Sequence, residues 1–252
     1  MRRCCLGIRK CCKMEAFNRG SQQSVYFGVG YVIASEWSSE TVKRLDFQRA
    51  LAENQLDFPR TSSGARDFTF VRTEQSPLQV KVSSLGPRVS SLSVSSERPV
   101  YSLELFGKEA EAICDAYRQT WLKEQCQILQ CNATVRHLYS CKEHAFKYLW
   151  EDRLGQDPQD FRHLGGRAVL GGGLRLFMPP LKDDKEPLQI EVKIESYLRE
   201  SQKMLIETLF VWPQPRLLSP DAKFDPSFRL RSVESYAAVE VCNFVVGRER
   251  EE

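Results

Sequence analysis

Alternation of apolar and polar positions is clearest over residues 188–212, LQIEVKIESYLRESQKMLIETLFVW. Ile190, Val192 and Ile194 alternate with Glu191, Lys193 and Glu195. A period of two sends the aliphatic side chains to one face of a strand and the charges to the other. Residues 199–202 form a polar break, and a second apolar run returns over 204–212. The stretch predicts a long antiparallel hairpin with one face in a core.

The rest of the chain falls into shorter elements. Residues 24–35 read as a strand with Gly28 and Gly30 on one face, which predicts close approach of a helix or another backbone there. Ser38 or Ser39 is placed to cap a helix that opens on Glu40 and runs to about residue 54. Residues 57–66 read as a loop. Four short strands follow at 68–73, 78–85, 89–95 and 100–106, punctuated by Gly64, Pro77, Gly86-Pro87 and Pro99. Residues 108–122 are the best helix, because Ala110, Ile113, Cys114, Tyr117 and Trp121 make a single apolar stripe. A strand at 126–139, a helix at 142–154 and a loop at 156–166 come next. Residues 167–178 are glycine-rich and then strand-like. After the hairpin, Pro213 and Pro215 lead to two final strands at 228–233 and 237–246. Strands segregated from helices predict an α+β protein, mainly a curved antiparallel sheet with helices on one face.

Laid end to end, the elements run strand, helix, four strands, helix, and then strand, helix, four strands, at an offset of roughly a hundred residues, far longer than solenoid repeats. This order resembles the duplicated saddle of the TATA-binding-protein-like fold. The resemblance implies two β-α-β4-(α) halves sharing one sheet and one core, at 21–123 and 124–246. Residues 1–20 would then be a basic, Cys-rich extension and 247–252 a charged tail. The second half lacks a closing helix on this reading. No family motif is matched, so the resemblance assigns no site residue.

Composition narrows the function classes. The 252 residues suffice for one large domain or two small ones sharing a core. A net charge of +3 is too mild to require nucleic acid as a partner. No apolar run approaches the ~20 residues of a membrane span, and the first residues carry no apolar core of a signal peptide. Nine cysteines, an odd number, favour reduced thiols in a cytoplasm. The sequon Asn132-Ala133-Thr134 is then a chance match. Residues 1–13 hold five basic residues and two Cys-Cys pairs. They read as a disordered extension, upstream of a start at Met14, rather than a thiolate metal site or a palmitoylated patch.

Three constellations carry candidate chemistry. Cys131, His137, Cys141 and His144 are spaced C-x5-H-x3-C-x2-H, which could offer thiolate and imidazole ligands to zinc. The competing reading is buried thiols and a histidine at a helix start. Glu191, Lys193, Glu195 and Glu207 are the catalytic candidates. If the hairpin pairs 195 with 207, carboxylates meet on one face, and Arg175, Arg229 and Arg231 on neighbouring strands would help to hold a divalent ion and a phosphate. Such alternation also resembles triphosphate tunnel enzymes, but their Glu-x-Glu-x-Lys strand is missing, and residues 191–195 read Glu-x-Lys-x-Glu. The competing reading is a solvated face with cross-strand ion pairs. Finally, Arg167, Gly171, Gly172, Gly173 and Arg175 make a glycine-rich basic segment whose backbone amides could cradle an anion. No P-loop and no Gly-x-Ser-x-Gly elbow is present, and three histidines allow few triads.

The sequence therefore favours a non-enzymatic binding or scaffolding module that takes a protein or a small anionic ligand and needs no cofactor. A phosphohydrolase or nucleotidyl enzyme using Mg or Zn is the first alternative. A nucleic-acid binder is the second, and Glu191, Glu195 and Glu207 weigh against it.

Overall fold

The computed structural model describes residues 16–35, 41–74, 76–122, 126–219 and 222–247. Residues 1–13, the Ser38 or Ser39 helix cap and the tail beyond Gly247 lie outside the described residues. Ten strands form one antiparallel sheet: β1 (Phe17–Ala34), β2 (Arg60–Ser63), β3 (Asp67–Arg72), β4 (Leu78–Gly86), β5 (Val89–Glu97), β6 (Cys126–Cys141), β7 (Gly173–Met178), β8 (Gln189–Ser196), β9 (Lys203–Trp212) and β10 (Arg216–Leu218). The sheet is curved and unclosed, in the order β2-β3-β4-β5-β1-β6-β9-β8-β7. β9 pairs with β6 as far as Trp212, and β10 resumes pairing with β6 at Arg216. Pro213 and Pro215 lie in the gap, where a ladder donor is missing.

The helices cover one face. They are α1 (Thr41–Glu53), α2 (Leu103–Trp121), α3 (Ala145–Lys147), α4 (Pro226–Tyr236) and α5 (Cys242–Val246). A π-helical stretch, Tyr148–Arg153, continues α3, and another, Ala237–Val241, joins α4 to α5. Alternation along the strands explains the layering: Leu78, Val80 and Val82 of β4 are buried while Gln79 and Lys81 are exposed. One core cluster lies under β1 and β3–β6 with α1, α2 and α4. A second lies under β6, β8 and β9 with α3 and α5. Ile190 and Tyr236 pack against both.

Several predicted elements change type. Residues 57–66 contain β2 rather than only a loop. Residues 100–106 are not a strand: Ser102 Oγ accepts the N–H of Leu105 at 3.3 Å and caps α2, which brings Phe106 into line with Ala110 and Ile113. Residues 156–166 contain a 3₁₀ helix, Pro158–Leu164. The two final strands are helical. Leu230, Val233, Ala237, Val241 and Val245 are buried at spacings of three or four, which is one helical stripe. The described chain thus ends in helix. Arg229 and Arg231 sit on α4, not on strands beside the hairpin. Arg229 is buried, donates to Glu186 at 2.7 and 2.8 Å and to Asp225 at 2.9 Å, and stacks on Trp212.

Candidate functional site

The helix-free face of the sheet carries a cross-strand row of polar residues. Strand register places Glu97, Tyr26, Arg136, Glu207, Lys193 and Arg175 opposite one another in sequence, across β5, β1, β6, β9, β8 and β7. Arg175 grips Glu191 with two hydrogen bonds, at 2.8 and 3.0 Å. Lys193 Nζ lies 2.6 Å from Glu207 and 3.4 Å from Glu191. Arg136 donates to the other oxygen of Glu207 and stacks on the Tyr26 ring, 4.5 Å from its centroid. The hydrogen bond from Arg175 is the main reason the Glu191 carboxyl lies below its ordinary value. For Glu207 burial pulls upward most strongly, but hydrogen bonds from Lys193 and the charge of Arg136 leave its pKa lowered.

The hairpin register differs from the predicted one by two residues. Glu195 faces Leu205, and Glu207 faces Lys193. Glu195 is exposed and stands apart from Glu207. Every oxygen of Glu191 and Glu207 already meets a cation, whereas a divalent ion needs open carboxylate oxygens. Three of the four catalytic candidates, Glu191, Lys193 and Glu207, therefore form a ladder of ion pairs rather than a cluster of acids, and Glu195 stays outside it. Gly28 and Gly30 lie on this face beside the row. A Cβ at Gly28 would meet the Tyr26 ring at 2.7 Å, and one at Gly30 would meet the Asn132 amide at 3.0 Å. Side chains of the same face, not a helix or a second backbone, occupy that space.

The row ends at a cleft of about 1000 Å³. Its walls are β1 near Tyr26, the β5–α2 connection, Arg136 and Leu138 of β6, and the β8–β9 turn. Three arginines (Arg98, Arg136, Arg199) and three tyrosines (Tyr26, Tyr101, Tyr197) line it, with Glu97 and Glu200 between them. Arg98 and Arg199 have no ion-pair partner among the described residues. Arg98 also holds φ at 49°, a left-handed conformation that costs a residue with a Cβ about 1–2 kcal/mol. Its N–H donates to Val25 O at 2.9 Å, which ties the strained residue to β1. In the sequence Arg199 and Glu200 stand only as the polar break of the hairpin, Pro99 as punctuation between strands, and Tyr26, Tyr101 and Arg136 as parts of strands. Residues 97–102, 136 and 197–200 are brought together only by the sheet.

The Cys/His set does not converge. Cys131 belongs to the first core cluster and Cys141 to the second. Burial pushes their thiols up to about 12 and about 11, far from the thiolate a metal requires. His144 caps α3 by accepting the Phe146 N–H. His137 is fully buried, with Nε2 2.7 Å from Glu234 and Nδ1 3.2 Å from Ser24 Oγ. A ring with no exposed surface cannot meet a substrate, so this serine–histidine–acid line ties α4 to β1 and β6. Among the described residues no group of three or more His, Cys, Asp or Glu side chains is placed to hold a metal ion.

The glycine-rich segment is split. Gly173 opens β7, where a Cβ would run into the Ile194 carbonyl oxygen, so only glycine fits against β8. Arg175 is engaged by Glu191, while Arg167 lines a separate groove of about 590 Å³ with Phe146, Trp150 and Phe161. Among the described residues no helix is long and apolar enough to cross a membrane. No protein-family model matches the chain, and no curated protein matches it significantly.

Proposed function

We propose that the protein is a non-enzymatic binding or scaffolding module whose ligand surface is the helix-free sheet face and the cleft at its end. The observation that carries this reading is the state of the acids. Both carboxylate oxygens of Glu191 and of Glu207 are paired with a cation. An enzyme of the metal-dependent kind needs carboxylates that converge and stay open. The cleft supplies what a binder needs. Tyrosine and arginine are the side chains that anchor protein interfaces, since they give large contact area and several hydrogen bonds. Arg98, Arg199, Glu97 and Glu200 mix both signs, which suits a polar segment of a protein better than a phosphate backbone.

Melting of the full chain in EDTA, Mg²⁺ and Mn²⁺ tests the reading. The melting temperature is expected to be the same in all three. A gain with either ion that disappears in Glu207→Gln would return the hairpin acids to a catalytic role and overturn the proposal.

A further inference from the structure

Outward of β1 the sheet has four more strands, and outward of β6 along its main order it has three, ending at β7. No described segment pairs with the outer edge of β7. Backbone geometry fixes which groups face out there. Ser196 N–H donates to Gly172 O at 3.0 Å, and Gly173 lies opposite Glu195. Hydrogen-bonded pairs alternate along an antiparallel ladder, so Leu174, Leu176 and Met178 bond inward to β8. The N–H and C=O groups of Gly173, Arg175 and Phe177 therefore point away from the sheet.

Within β7 this edge carries no lysine, proline or bulge, and its one charged side chain, Arg175, is held by Glu191. Natural edges are blunted by lysine, proline or a bulge. β7 reads GLRLFM in unbroken register. Phe177 is 59% exposed, and Leu174, Leu176 and Met178 are only partly covered by the second core cluster. The opposite edge, β2, is four exposed residues, RTSS.

A second, independent feature sits at the start of β7. A Cβ at Gly172 would meet the Phe146 ring at 3.0 Å, so the strand begins at the wall of the aromatic groove. Phe146, Trp150 and Phe161 pack there with centroids 4.9–6.0 Å apart. The Trp150 indole N–H is buried in the protein and has no hydrogen-bond partner. Arg162 and Arg167 line the same groove without ion-pair partners among the described residues.

We propose that the β7 edge receives an extended segment of a partner protein as an added antiparallel strand, with an apolar side chain beside an acidic residue seated in the Phe146–Trp150–Phe161 groove. The free main-chain groups supply the strand contact, and the groove supplies the choice of sequence. β7 runs away from the groove, so an antiparallel partner runs toward it. Its anchor residue lies C-terminal to its paired stretch. A second copy of β7 is the poorer occupant, because GLRLFM brings no acid to Arg162 and Arg167. The proposal does not rest on the cleft at the other end of the face.

The test is selection of a displayed random peptide library on the immobilised full chain. The expected consensus has apolar residues at alternate positions, then an aromatic or aliphatic residue next to Asp or Glu. A synthetic peptide of that consensus should bind Phe177→Pro about tenfold or more weakly, because an outward donor becomes a clash. Phe177→Ala keeps the N–H and should stay within about threefold. Arg162→Glu with Arg167→Glu should erase the preference for the acid. In the wild-type chain the peptide should slow amide exchange at Gly173, Arg175 and Phe177, a readout that stands even if Phe177→Pro folds poorly. A selection without alternation, unchanged exchange at those amides, or a free protein that dimerises until Phe177→Pro separates it would overturn the proposal.

Discussion

Glu234, Glu191 and Glu207 show how single carboxyls tie the sheet together. For Glu234 burial works upward, but the hydrogen bond and charge of His137 and a hydrogen bond from Gln22 leave its pKa lowered. All three acids are thus lowered in the folded chain. A lowered folded pKa means that the unfolded chain binds more protons. The stabilisation is fully present above the unfolded carboxylate value of about 4.3 and is lost as pH falls through the folded values. The melting temperature should therefore drop as pH is lowered past that value. Glu234→Gln should make the drop shallower, as followed by circular dichroism melts across an acid series. An acid limb as steep as the wild type's would show that this pair does not contribute. At this scale the sequence put Arg175, Glu191, Lys193, Glu195 and Glu207 on one face correctly, added Arg229 and Arg231, which belong to α4, and did not show which residues touch. Predicted and observed hairpin registers differ by two, which keeps every side chain on its face and changes its partner. Pairing 195 with 207 would have set two carboxylates together, whereas the observed ladder sets Lys193 against Glu207. The link from Ser24 to His137 to Glu234 had no sequence signal at all, since it joins residues far apart in the chain.

Elements were legible where one pattern stood alone. The stripe of α2 and the alternation of β4, β5, β8 and β9 each had a single period. Misreadings arose where two periods overlapped. Residues 100–106 alternate like a strand, yet Ser102 and the stripe continuing through Phe106 decide for helix. Residues 226–246 contain five valines and two phenylalanines, residues that favour strands, but the buried positions recur every three or four. Tertiary packing selected the period that could be buried. The α2 cap gives a direct check. Ser102→Ala removes the acceptor for the Leu105 N–H and should destabilise the chain by about 0.5–2 kcal/mol in urea unfolding. No change would mean that packing of Phe106, Ala110 and Ile113 alone sets the start of α2.

The α+β class and the curved sheet with helices on one face were both readable from element order, because strands outnumber helices and the apolar faces all demand one cover. What was not readable is how the parts are joined. The two core clusters share no fully buried residue, but they are not separate. β6 crosses from one to the other at His137, between Val135 and Tyr139, and Ile190 and Tyr236 touch both. β1 and β6 pair along nearly their whole length at the centre of the sheet. Separating the clusters would break that ladder and expose a buried imidazole and its acid, which is costly. The chain should therefore unfold in one transition. Ile113→Ala opens a cavity in the first cluster and Ile194→Ala in the second, where both side chains are fully buried. Each should cost about 2–5 kcal/mol. Each should also move the whole transition, seen alike by tryptophan fluorescence, where Trp121 and Trp212 report the first cluster, and by far-ultraviolet circular dichroism. If Ile194→Ala splits the curve, with the part of the fluorescence change due to Trp121 and Trp212 left at the wild-type midpoint, the β1–β6 seam is a boundary between two units and not the middle of one.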